Sequence, residues 1–174
     1  MQYSSFVLAN GLRIIHLPSD SPVSYCGIAV HAGTRDEQSE QYGLAHFVEH
    51  MLFKGTEKRK VRHILNRMEA VGGELNAYTT KEETFLYTTC LQEDIERAVE
   101  LLADLVFHSI FPNSEIEKER EVVIDEIHSY EDSPPELIFM SLKIAFLQVM
   151  TWDMPYWELK NVFSALPRIP AGSL

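Results

Sequence analysis

Strand-like runs come first and long helical patterns follow, so this chain is expected to be α+β, with a mainly antiparallel sheet and helices packed on it. Three observations carry that expectation. Asn10-Gly11 sits between two apolar runs, Lys81-Glu82-Glu83 sits between two more, and three later segments repeat apolar residues at helical spacing. The 174 residues suffice for one domain with a packed core, and 45% hydrophobic with 24% charged residues argues against disorder.

Tyr3 to Leu8 and Leu12 to Leu17 read as a hairpin, because both residues of Asn10-Gly11 tolerate positive φ. Val23 to Ala32 is a third strand, rich in β-branched and small residues, and 33–41 is a polar loop. A helix follows over the stripe Leu44, Phe47, Val48, Met51 and Leu52, with Gly43 at its entrance and Gly55 as a stop. Val61 to Val71 is the next helix, ending at Gly72-Gly73. Glu74 to Thr80 and Thr84 to Leu91 are strands around the charged turn, and Glu93 to Phe107 is amphipathic. Ser114 opens the last helix, with Glu117 completing an S-x-x-E capping box.

The formal charge of -11 disfavours nucleic acid and anionic membrane surfaces as partners. No run is long enough to span a bilayer. The first eight residues lack a basic start followed by an apolar core, and lack the arginines of a mitochondrial presequence. The expected location is therefore cytoplasmic. Cys26 and Cys90 lie in separate strands and are expected to be free, buried thiols.

The segment that bears chemistry is His46-Phe47-Val48-Glu49-His50. On a helix the two histidines lie one above the other on a single face, a two-point claw for one metal ion. Glu49 sits beside it, where a carboxylate takes a proton from the water that the metal activates. Five letters with two wildcards also arise by chance, and most histidines are surface or satisfied core residues, so a third ligand has to be found. The last helix offers Glu119 and Glu126, which share one face two turns apart and flank Val123. A glutamate facing inward is paired or binds a cation. Glu115, Glu117 and Glu121 read as a solvated face.

His46-x-x-Glu49-His50 with the downstream run from Glu119 to Ile127 resembles the inverzincins, the pitrilysin-type zinc metallopeptidases related to insulin-degrading enzyme and the mitochondrial processing peptidase. Ala9-Asn10-Gly11-Leu12-Arg13, Ala32-Gly33-Thr34-Arg35-Asp36-Glu37, Gly72-Gly73-Glu74-Leu75-Asn76-Ala77-Tyr78-Thr79 and Glu82-Glu83-Thr84 also look like phrases of that family, over about residues 2 to 139. The resemblance implies an incomplete N-terminal domain of such a peptidase. It implies that His46, His50 and Glu126 hold one Zn2+ per chain, that Glu49 is the general base, and that Glu119 orients the site and helps proton transfer. It implies peptide substrates laid along Glu74 to Thr79 by strand addition, past Asn76, Ala77 and Tyr78. His16, His31, His63, His108 and His128 match no ligand position.

After Phe139 the family pattern stops. With suitably chosen codons, residues 150–160 back-translated and read one base earlier give His-Asp-Leu-Gly-His-Ala-Ile-Leu-Gly-Thr-Glu, in which both glycines, the alanine and the second leucine are forced. This looks like the family's continuation, the alternative being a divergent natural C-terminus. Two domains are expected on this reading: 1–139, the partial peptidase domain with the zinc site, and 140–174, an out-of-frame tail. The expected function is that of a zinc-dependent metalloendopeptidase in truncated form. The alternatives are an inactive zinc-binding fragment of a frameshifted peptidase gene, or a non-catalytic subunit of a peptidase complex. Uncovered sheet surface predicts self-association or pairing with a second peptidase half.

Overall fold

A computed structural model describes residues 2–38, 40–135 and 138. The proposed out-of-frame tail, and with it the boundary at 139/140, lies outside the described residues.

The hairpin forms where Asn10-Gly11 places it. Strands β1 (Ser4–Val7) and β2 (Arg13–His16) pair antiparallel, with Ser4 opposite His16 and Val7 opposite Arg13. Gly11 has φ 88°, and Asn10 Oδ1 accepts from the Leu12 amide at 3.1 Å. Both strands are exposed along their whole length.

The main sheet has three antiparallel strands in the order β3-β5-β4: β3 (Val23–Val30), β4 (Glu74–Thr79) and β5 (Thr84–Leu91). Among the described residues β3 and β4 are therefore its edges. Along β5, Thr84, Leu86, Thr88 and Cys90 are buried and the residues between them are half-buried, the period of two that a half-covered sheet requires. Helices α2 (Val61–Glu69) and α3 (Ile95–His108) cover that face. Leu52, Ile64, Met68, Leu86, Cys90, Leu101, Leu102 and Leu105 close the core between them. The two cysteines are free, and Cys90 is buried. The other face carries Tyr78, Phe85 and Tyr87, with ring centroids 5.4 to 6.1 Å apart.

Two further helices form the second layer, α1 (Leu44–Leu52) and α4 (Asn113–Glu131). They meet along a short apolar seam of Phe47, Met51, Val123 and Ile127. Helix α4 starts one residue ahead of the expected capping box, so Ser114 lies inside the first turn. The Pro112 carbonyl accepts from the Glu115 and Ile116 amides instead. No helix among the described residues is long and apolar enough to cross a membrane.

Candidate metal centre

Successive residues on α1 turn by about 100°, and that sorts its side chains by direction. Phe47 and Met51 face α4, while Leu44, Val48 and Leu52 take the adjacent face, about 80° further round, and line an apolar cavity of about 430 Å³. His46 and His50 share the remaining face, and Glu49 turns toward β4.

The start of α1 is fixed from outside the helix. Gly43 has φ 85°, a left-handed conformation that a β-carbon would strain. The Glu37 carboxylate accepts from the Gly43 amide at 2.8 Å and the Ala45 amide at 2.7 Å, so a residue six positions upstream caps the helix. Burial pushes the Glu37 carboxyl above its ordinary value, and these two bonds oppose the shift. The loop carrying Glu37 is itself docked. Gly33 approaches the backbone of Lys81 so closely that a β-carbon would lie 2.5 Å from it, and Arg35 pairs with Glu82 at 2.6 Å. This accounts physically for two of the family-like phrases, around Gly33 and around Glu82.

On the open face three groups converge. His46 Nε2 lies 3.2 Å from His50 Nε2. Glu126 brings one oxygen to 3.4 Å from His50 Nε2 and the other to 3.9 Å from His46 Nε2. One ligand atom from each residue lies within 4.8 Å of the others. Two donors of a tetrahedral zinc site, each about 2.0–2.1 Å from the ion, stand about 3.3 Å apart, so the separations suit that ion. The chemistry of the donors suits it too. His50 Nδ1 is 3.0 Å from Glu119 Oε1, and a carboxylate only accepts, so Nδ1 carries the proton when His50 is neutral. The lone pair of Nε2 then points toward a second carboxylate, an arrangement that a cation between them stabilises. Burial, and next His50, lower the pKa of His46 below its ordinary 6.5, against the pull of Glu126 and Glu49. A neutral imidazole is the ligating form. The histidine side chains are one-fifth exposed and Glu126 one-third, so the cluster opens to solvent.

Around this cluster lie the other expected site residues. Glu49 Oε2 accepts from Thr79 Oγ1 at 2.6 Å, which ties α1 to the end of β4. Glu119 is buried, 5% exposed, and its second oxygen meets Lys54 Nζ at 2.6 Å. Asn76 and Tyr78 lie exposed on edge strand β4 with Ala77 half-buried between them. The fold thus brings His46, Glu49, His50, Glu119 and Glu126 together and puts 76–78 on the neighbouring strand. His16, His31, His63 and His108 are exposed and His128 half-buried. Reading the sequence gives Lys54 no role, and it places Glu37 and Thr79 only within family-like phrases, with no part at the site. Lys54 continues the row 46, 50, 54 at a spacing of four, a signal that could have found it. Nothing in the spacing marks Glu37.

The family model described as "Insulinase (Peptidase family M16)" matches residues 14–155. The chain belongs to peptidase family M16. Among family relatives, a protein named uncharacterized zinc protease YmxG from Bacillus subtilis (strain 168) is 41% identical over 135 residues, 76% of this chain and 33% of that one. The mitochondrial-processing peptidase subunit beta of Saccharomyces cerevisiae is 42% identical over 134 residues, 76% of this chain and 29% of that one. Among solved structures, a protease from Helicobacter pylori superposes with a TM-score of 0.76 at 25% identity, covering 80% of this chain and 34% of that one. The chain spans about a third of the length of the relatives it matches.

Proposed function

We propose that this M16 chain carries the metal site of a zinc-dependent endopeptidase, with His46, His50 and Glu126 as the protein ligands of one zinc ion. The observation that carries this reading is the convergence of His46 Nε2, His50 Nε2 and the Glu126 carboxylate, with Glu119 fixing the His50 tautomer. A zinc ion held there supplies a Lewis acid that polarises a carbonyl and makes water a nucleophile near neutral pH. The chain's own groups do the rest. Glu49 takes the proton of the attacking water and returns it to the leaving amine. Thr79 holds one Glu49 oxygen, leaving the other for that transfer. An extended peptide adds to the free edge of β4, past Asn76, Ala77 and Tyr78. Two His and one Glu also accept manganese or cobalt, and zinc is favoured by the names of the relatives.

A second reading keeps the metal and drops the turnover: an inactive zinc-binding fragment. It is favoured by the edge of β3, unpaired among the described residues, and by exposed apolar residues such as Ile15, Tyr25 and Phe107, 58 to 80% exposed. Those surfaces suit a second peptidase half or self-association. A non-catalytic subunit is the weaker alternative, since the full set of metal and base residues is present. Hydrolysis of an unfolded fluorogenic peptide, with Glu49→Gln as control, separates the readings. Turnover lost in the variant supports the enzyme. Zinc bound at one per chain without turnover in either supports the fragment.

A further inference from the structure

We propose that Lys54 is a positioning residue for the metal centre, acting through Glu119 on the tautomer of His50. The inference rests on the metal reading above and extends it to a residue that binds neither metal nor substrate.

The geometry is a relay of three groups. Lys54 Nζ stands 2.6 Å from Glu119 Oε2, and Glu119 Oε1 stands 3.0 Å from His50 Nδ1. An ammonium only donates, so Lys54 occupies one carboxylate oxygen and turns the other toward the imidazole. Nδ1–H then donates to it, and Nε2 keeps its lone pair on the side of His46 and Glu126. Glu119 is 5% exposed, so water offers little substitute for the lysine.

Lys54 is held for this purpose at both ends. Its amide donates to the Met51 carbonyl at 3.0 Å, just past the end of α1. Two residues on, Thr56 Oγ1 donates to the buried Asp104 of α3 at 2.7 Å, and Arg59 pairs with the same carboxylate. The segment from 53 to 60 is therefore pinned to the larger core, and it delivers Lys54 to the seam where α4 closes on α1. Without the lysine, α4 still presents Glu119, but only the His50 contact is left to orient its carboxylate among the interactions described.

The test uses the whole chain stripped of metal, as wild type, Lys54→Met, Lys54→Arg, Glu119→Gln and the Lys54→Met/Glu119→Gln double variant. Zinc affinity is read by competition with a chromophoric chelator. The His50 tautomer is read in the metal-free chain from imidazole 15N shifts at pH 8. Lys54→Met weakens zinc about 10-fold, the lower end for a residue supporting a metal ligand. Lys54→Arg restores it, and the double variant is no weaker than Glu119→Gln alone. In the metal-free chain His50 is the Nδ1–H tautomer in wild type and Lys54→Arg, and a mixture in Lys54→Met. Unchanged affinity and tautomer in Lys54→Met overturn the inference, as does a full additive loss in the double variant. If wild type binds no zinc but the tautomer follows Lys54, the positioning role stands and the metal reading falls. If Lys54→Met does not fold, Lys54→Gln takes its place.

Discussion

Two apolar clusters hold the described residues together. Between the sheet and helices α2 and α3, nine buried residues interlock, among them Ile64, Met68, Leu86, Leu101 and Leu102 at 0% exposure. Between α1 and α4 there are four, Phe47, Met51, Val123 and Ile127. The larger cluster is set by long-range pairing of three strands and needs no ion. The smaller one supports a 19-residue helix whose inward face also carries Glu119 and Glu126. That helix brings two carboxylates to the seam, and the buried one, Glu119, is matched there by His50 and Lys54. The comparison teaches that the two kinds of packing differ: the sheet core is apolar throughout, and on the proposed metal reading the α4 seam is completed by its ligand.

Substitutions that strike one cluster and spare the other can break that comparison. The largest expected effect is in the sheet core. Leu101→Ala costs about 3 kcal/mol, read by urea unfolding followed by circular dichroism, and lowers all signals together. Next comes the lock that joins the 53–60 segment to α3. Asp104→Asn removes one of the two charges that face Arg59, the other being Glu100, and costs about 2.5 kcal/mol, since the amide oxygen still accepts from Thr56. In the seam, Val123→Ala costs about 2 kcal/mol. Its distinguishing sign is faster amide hydrogen exchange confined to α4 in the metal-free chain, reversed by zinc. Equal protection of α3 and α4 without metal would contradict the division. The smallest effect is at the head of α1, where Glu37→Ala costs about 1 kcal/mol of helix capping.

The two regions also respond to acid at different points. The folded His46 sits below its ordinary 6.5, from burial and from His50, so the unfolded chain binds its proton first. Stability of the metal-free chain therefore falls as pH drops below about 6.5, until the folded imidazole is protonated too. Burial raises the Asp104 carboxyl, but the Thr56 and Arg59 bonds more than offset it and hold it below its ordinary 3.8. Its contribution is present above that value and is lost only as pH falls through the lower folded one. Unfolding curves collected from pH 7.5 down to 3 sharpen the contrast. His46→Gln flattens the upper step, and Asp104→Asn the lower.

Most of the architecture was legible because its signals are local. Asn10-Gly11 specifies the first hairpin, the alternation from Thr84 to Cys90 specifies a half-covered strand, and the four-residue spacing of His46 and His50 specifies a shared face. The inward turn of Glu119 and Glu126 was readable from their register with Val123. What was not legible depends on contacts distant in sequence. Glu37 caps α1 only because Gly33 docks on the turn at Lys81. Thr79 meets Glu49 only because β4 lies at the edge beside α1. The start of α4 moved by one residue because Pro112 supplies a carbonyl where Ser114 was expected to supply a hydroxyl.

The most direct test is zinc content after exhaustive dialysis of the purified chain, wild type beside Glu126→Ala, with circular dichroism to verify that both are folded. About one zinc per chain in wild type and less than about a tenth in the variant is the predicted result, because the third ligand comes only from α4. No zinc in either, or equal zinc in both, would contradict a metal site closed by α4 against α1.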